Sequence, residues 1–169
     1  ACEWAIKSIE ESHNHIDVLI NNAGLAAGAA TFDESDVDDF DQMLDTNVKG
    51  LLYITKLIVP KMIAQQSGHI VNISSIAGIE VYPNGSVYCA SKHAVNAITK
   101  GLRIDLVKQG IKVSSISPGM AETEFSIVRY HGDTEKAAAV YKGLVPLNAE
   151  DIADARRDDV LEPGEGAAD

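Results

Sequence analysis

The sequence predicts an α/β fold, a parallel sheet of about three central strands with flanking helices. Three observations carry this. Short apolar, β-branched runs at Val18–Asn22, Ile70–Ser74 and Lys112–Ser117 are strand-like in length and composition. Long segments of helical periodicity separate them, and parallel strands need connections of that length. Each run also leaves into a loop of small or polar residues: Asn21-Asn22-Ala23-Gly24, Ser74-Ser75 and Pro118-Gly119. Three strands with unusual chemistry at the same end define one crevice.

Taken in order, the opening to about Ser12 reads as a helix with Ile6 and Ile9 inward. His13 and His15 follow in a polar loop before the first strand. Between Asp33 and Asp45 the chain is strongly acidic. Asp36, Asp38, Asp39 and Asp41 suit the positive end of a helix dipole, so they read as a solvated helix start with no metal role. A long helix is expected from about Asp36 to Gln66, bent or split near its end by Pro60. In the second strand Ile70, Asn72 and Ser74 alternate with Val71, Ile73 and Ser75, which reads as burial on both faces. A second long helix is expected from about Ser86 to Lys108, closed by Gly110, and the third strand follows. Weaker helices are expected near Glu135–Gly143 and Ala149–Ala155. The stripes Leu51, Leu52, Ile54, Leu57, Ile58 and Ala94, Val95, Ile98, Leu102, Leu106 would cover the sheet. Residues 1–155 read as one partial domain and 156–169 as a poorly patterned polar tail.

Tyr88 and Lys92 are four residues apart, hence on one helical face about a turn from each other. A phenol has an ordinary pKa of roughly 10, and a nearby ammonium favours its ionised form, which suits general acid–base work. Alone, the pair reads more readily as a helix with one aromatic and one solvated lysine, because such spacings are common by chance. Ser75 changes the weighing, because it ends a buried strand where α/β sheets bind ligands and can hydrogen-bond a carbonyl or alcohol oxygen. Asn22, Ala23 and Gly24 would let backbone approach a ligand closely.

Together these residues closely resemble the short-chain dehydrogenase/reductase family. The match covers Asn21-Asn22-Ala23-Gly24, Asn47 within Asp45-Thr46-Asn47-Val48-Lys49-Gly50, Ser75, Tyr88, Lys92 and Pro118-Gly119, with Ser75 13 residues before Tyr88. The resemblance implies a Rossmann-type doubly wound parallel sheet, incomplete here, and a cofactor, NADP or alternatively NAD. It implies Tyr88 as the acid/base, Lys92 lowering the Tyr88 pKa and bonding the nicotinamide ribose, and Ser75 holding the reacting oxygen. Asn47 would kink its helix and hold a proton-relaying water through its main-chain carbonyl. Asn22, Ala23 and Gly24 would flank the adenosine-side ribose and phosphates; Pro118, Gly119, Met120 and Thr123 would flank the nicotinamide half. The segment Thr123-Glu124-Phe125-Ser126-Ile127-Val128-Arg129 resembles the substrate lid of the NADP-dependent serine/allo-threonine and 3-hydroxy acid dehydrogenase branch. Arg129 then has two readings: a partner for a substrate carboxylate, or a surface arginine paired with Glu124 or Asp133. The resemblance also implies a homo-oligomer, dimer or tetramer, through the outer faces of the long helices.

Other properties bound the function. At 169 residues and 46% hydrophobic content the chain can bury a sizeable core. A net charge of −11 argues against general nucleic-acid or anionic-membrane partners. Cys2 and Cys89 are too few for a disulfide framework and fit a reducing, cytoplasmic setting, with Cys89 a packed thiol. No apolar run reaches the roughly 18 residues of a membrane span, and Ala1–Lys7 lacks a secretory pattern. No metal set is expected, His69 and His93 included.

The glycine-rich phosphate turn of such a fold does not precede Val18. With crossovers of one hand, both long helices should lie on one sheet face and leave the other open, with two unpaired edges. The leading expectation is a reversible NADP-linked oxidoreductase for a small hydroxy acid, secondary alcohol or carbonyl substrate. The alternatives are an inert dinucleotide-binding homologue and a structural fragment.

Overall fold

A computed structural model describes residues 6, 7, 13 and 15–161, with side chains through residue 155. Among them β1 (Val18–Asn21), β2 (Gly68–Ile73) and β3 (Ile111–Ile116) form one parallel sheet in the order β1-β2-β3. Each strand lies within two residues of its expected position. Leu19, Ile70 and Val113 share one row across the sheet, and Asn21, Asn72 and Ser115 the next row on that face.

The expected single helix from Asp36 to Gln66 is three consecutive pieces. Helix α1 (Val37–Leu44) runs into a π-helical segment (Asp45–Gly50), which continues as α2 (Leu51–Gln65). Asp36 starts it, its carboxylate accepting from Asp38 N at 3.0 Å. Asp39 departs from the solvated reading, since its carboxylate is turned toward His131 at 3.2 Å and is 15% exposed. Pro60 does not split α2. Pro60 and Lys56 are both exposed, so the carbonyl left without its N–H lies on the wet side. At the end of α2, Gln65 accepts from Ile16 N and donates to Ile16 O (3.1 and 3.0 Å), tying the approach to β1 onto the helix.

Helix α3 (Ser86–Leu106) is followed by a 3-10 turn and by Gly110 in the left-handed region. Helix α4 (Phe125–Arg129) and helix α5 (Thr134–Ala139) follow β3. Helix α5 is shorter than expected because the chain turns after it, bringing the Tyr141 hydroxyl onto Ser126 and Ala121 O. Helix α6 (Ala149–Leu161) continues past Ala155 into the segment read as tail. The rest of that tail, Ile9 and Cys2 lie outside the described residues.

Ile58 and Met62 of α2, Leu106 of α3, and Ile70, Ile111 and Val113 of the sheet share one core cluster with Ile6. Both long helices therefore cover the same sheet face, as consecutive crossovers of one hand require. Leu52 corrects the expected stripe: it is 42% exposed and faces away from the sheet beside exposed Tyr53. The other sheet face is unevenly covered. Helix α6 packs against β3, and Val71 at the centre is fully buried, yet Ile20 of β1 is 42% exposed. Burial on both faces thus describes β2 and not β1, one of the two edge strands among the described residues.

Under the helices the sheet carries a polar row. Asn21 Nδ2 donates to Thr55 Oγ1 (3.0 Å) and Asn72 Oδ1 (2.8 Å), and Asn72 Nδ2 donates to Thr99 Oγ1 (2.9 Å). Asn72 is fully buried, so its amide ties β1, β2 and α3 together with no access to water. Asn72→Ala should lower unfolding free energy by about 1–3 kcal/mol through the groups left unpartnered. Urea denaturation of the complete gene product measures this, and an unchanged midpoint would rule it out.

Candidate active site

The loops after β2 and β3 are stitched together where they leave the sheet. Ser74 N donates to Ile116 O (2.8 Å) and Ile76 N to Pro118 O (3.0 Å). Ser75 starts a 3-10 turn over Ile76–Gly78, its hydroxyl accepting from Ala77 N at 3.1 Å. That turn lies directly on α3: a Cβ at Gly78 would stand 2.8 Å from Lys92 O, so only glycine permits the approach. Asn96 Nδ2 closes the contact by donating to Gly78 O at 2.8 Å.

Tyr88 and Lys92 both point inward from α3, at 8% and 6% exposure. Lys92 Nζ lies 5.9 Å from the centre of the Tyr88 ring and donates to Ile73 O at 2.9 Å, at the end of β2. Burial lowers the lysine pKa to about 8. Burial also pushes the Tyr88 phenol up to about 12, against an opposing hydrogen bond from the Ser75 side chain. The expected lowering of the phenol by the lysine is therefore not what this arrangement produces. Burial dominates the phenol, and the Lys92 ammonium is directed at the Ile73 carbonyl.

An ammonium carries three donors, and Lys92 has one acceptor among the described residues. Gly24 stands beside it: a Cβ there would lie 3.4 Å from Lys92 Nζ and 3.2 Å from Asn47 Oδ1. A buried cation with spare N–H groups, against a glycine, fits a hydroxyl-rich group such as the ribose of a dinucleotide.

The Asn47 side chain is 2% exposed and makes a reciprocal pair with Leu25, accepting from Leu25 N and donating to Leu25 O, each at 2.8 Å. It also donates to Ser91 Oγ (3.0 Å), which donates to Tyr88 O (2.7 Å). The π-helical segment gives the predicted irregularity at Asn47 its form.

Asn22, Ala23, Gly24, Asn47, Ser75, Tyr88, Lys92, Pro118 and Gly119 thus gather at the carboxyl ends of the three strands. Met120 and Thr123 stand exposed on the loop leaving β3. The Thr123 hydroxyl accepts from Phe125 N at 3.2 Å, at the start of α4. Phe125 meets the Tyr88 ring edge-on at 5.6 Å, which lays α4 over the site. Arg129 pairs with neither Glu124 nor Asp133. It donates to Gly28 O (3.2 Å) and the Tyr82 hydroxyl (3.3 Å) and lines one cleft with Tyr88. Sequence reasoning missed Ser91, Leu25 and Tyr82. Ser91, one turn beyond Tyr88 on the same face, could have been suspected; the other two carry no local signal.

The family model for short chain dehydrogenase matches residues 1–133, and the chain belongs to that family. It is 44% identical over 149 residues to the NADP-dependent 3-hydroxy acid dehydrogenase of Schizosaccharomyces pombe, covering 88% of this chain and 58% of that protein. It is 43% identical over 153 residues to the serine 3-dehydrogenase of Agrobacterium fabrum, covering 90% of this chain and 61% of that protein. Among solved structures, the closed form of serine dehydrogenase complexed with NADP+ superposes with a TM-score of 0.89 at 40% identity, covering 94% of this chain and 66% of that one. The chain spans about three-fifths of the length of these curated relatives.

Lys92 generates a stability prediction. Its folded pKa, about 8, lies below the ordinary 10.5, so the cost of burying the ammonium is fully present below pH 8 and is relieved as pH rises toward 10.5. Relative to Lys92→Met, the parent should gain about 3 kcal/mol between pH 7 and pH 10.5. Urea titrations of both proteins at the two pH values read this difference directly. A gap that stays constant would show that the amine is not desolvated.

Proposed function

We propose that this chain is the catalytic part of an NADP-linked oxidoreductase for small hydroxy acids or related secondary alcohols, with Tyr88 as acid and base and residues 1–155 as its partial domain. The observation that carries the reading is the buried Tyr88 and Lys92 pair beside half-buried Ser75 at the carboxyl end of a parallel sheet. The cofactor, when bound, supplies hydride acceptance or donation. The chain's own residues manage binding and the proton.

Ser75 holds the reacting oxygen within reach of Tyr88. In oxidation Tyr88 takes the alcohol proton, and in reduction it returns a proton to the carbonyl oxygen. Lys92 supplies positive charge against the burial that keeps the phenol protonated, and its unused N–H groups bond ribose hydroxyls. Asn47 positions the loop at Leu25 and the Tyr88 helix, and its main-chain carbonyl holds the relay water. Asn22, Ala23 and Gly24 border the adenosine side, while Pro118, Gly119, Met120 and Thr123 border the nicotinamide side. Arg129 takes the substrate carboxylate, since a guanidinium can bind one through two N–H groups. The names of the relatives support NADP and a hydroxy acid.

Exposed Leu52, Tyr53, Ile104 and Val107 on and beside the outer faces of α2 and α3 support a homo-oligomer, a dimer or tetramer. The low cysteine content supports a cytoplasmic setting. An inert dinucleotide binder would have no use for the full proton-transfer set.

In the complete gene product Tyr88→Phe should cut kcat about 10²- to 10⁴-fold while NADPH binding, read by cofactor fluorescence, persists. Wild-type turnover would refute Tyr88 as the acid/base. Arg129→Met should raise KM for a hydroxy acid at least about 10-fold more than for a neutral alcohol. Equal effects would remove Arg129 from carboxylate binding.

A further inference from the structure

We infer that Tyr82 is a positioning residue that holds the Arg129 guanidinium for the substrate carboxylate, and so sets the preference for acids over neutral alcohols. This rests on the reading of Arg129 given above. Arg129 ends the short helix α4, where an unsupported side chain would have wide freedom. Instead its backbone is pinned by Gly28 N donating to Arg129 O at 2.9 Å, and Nε returns a hydrogen bond to Gly28 O at 3.2 Å. The far end is fixed by Tyr82, whose hydroxyl accepts from Nη1 at 3.3 Å and whose ring centre lies 5.5 Å from Cζ. The ring face beside Cζ limits where the guanidinium can lie, and the hydroxyl holds its Nη1 end.

Tyr82 is itself immobilised. Its ring lies against Gly85, where any Cβ would collide with the ring, and it packs on the cluster that contains Tyr88. Each hydrogen bond that Arg129 makes goes to a neutral acceptor. The nearby acids are engaged elsewhere, Asp133 with Lys136 and Asp39 with His131. A guanidinium has five N–H donors, so three remain, two of them on Nη2. A half-buried cation with no counter-ion among the described residues, sharing a cleft with Tyr88, asks for an anion. The carboxylate of a small hydroxy acid whose hydroxyl lies at Tyr88 meets that need, since the Arg129 charge is near enough to Tyr88 to act on its phenol.

The test uses Tyr82→Leu, Tyr82→Phe and Arg129→Met in the complete gene product, assayed with NADP+ on 3-hydroxybutyrate and on butan-2-ol. Tyr82→Leu removes both ring and hydroxyl, and the acid-to-alcohol ratio of kcat/KM should fall about 10-fold through the KM for the acid. Tyr82→Phe keeps the ring contact and should give a fall of about 3-fold; because it preserves packing, it decides the matter even if the leucine variant fails to fold. A role limited to clasping the lid would depress both substrates in parallel, and an unchanged ratio in the phenylalanine variant overturns the inference. If Arg129→Met lowers the ratio and the Tyr82 variants do not, this inference fails while the Arg129 reading stands. If Arg129→Met leaves the ratio unchanged, both fall.

Discussion

The buried carboxamide of Asn47 joins the segments that carry the site, and most of the local geometry follows from satisfying it. Its oxygen and nitrogen take both main-chain groups of Leu25, just past the Asn22–Gly24 loop, and the nitrogen also reaches Ser91 on the Tyr88 helix. With water excluded, losing either partner would leave a group costing about 1–3 kcal/mol unpaired. A regular helix turn accompanies neither that reach nor the observed backbone; the chain passes through a π-helical segment at this point. The irregularity in the helix thus coincides with the residue that holds the loop in position.

Desolvation acts on Tyr88 and Lys92 in opposite directions, and both shifts suppress charge. The phenol holds its proton more tightly, while the amine gives its proton up more easily. The strength of the field on Tyr88 therefore depends on how well the ammonium is solvated by acceptors. Ile73 O supplies one; any further acceptor at the two unused N–H groups favours the charged amine and, through it, the phenolate.

The same economy of burial explains the sheet. The α2/α3 face is closed by Ile58, Met62 and Leu106 and by the row from Asn21 to Thr99, so the strand ends are held rigidly beneath the site. The opposite face is covered near β3 and opens toward β1, where Ile20 is exposed. The closely packed half of the sheet is the half beneath Tyr88 and Lys92. Helix α4, by contrast, is held by a few side-chain and backbone bonds to the loop at Gly28 and to Tyr82, a fit arrangement for an element that covers a crevice.

What was legible in the sequence was whatever repeats within a few residues. Strand alternation, helix periodicity and the one-turn spacing of Tyr88 and Lys92 are local, and each strand fell within two residues of expectation. The loops that meet at the strand ends were legible too, because parallel strands must present the same end to one crevice. Partners separated by long stretches of chain were not: Arg129 meets Gly28 across 101 residues and Asn47 meets Leu25 across 22. Burial was equally hidden, so the sequence indicated that a cation would stand one turn from a phenol but not which effect would dominate its pKa. Leu52 faced outward and Asp39 inward for the same reason. Periodicity assigns a side chain to a face, whereas the neighbours packed against that face decide whether it meets water, and in a low-dielectric interior that decides its charge.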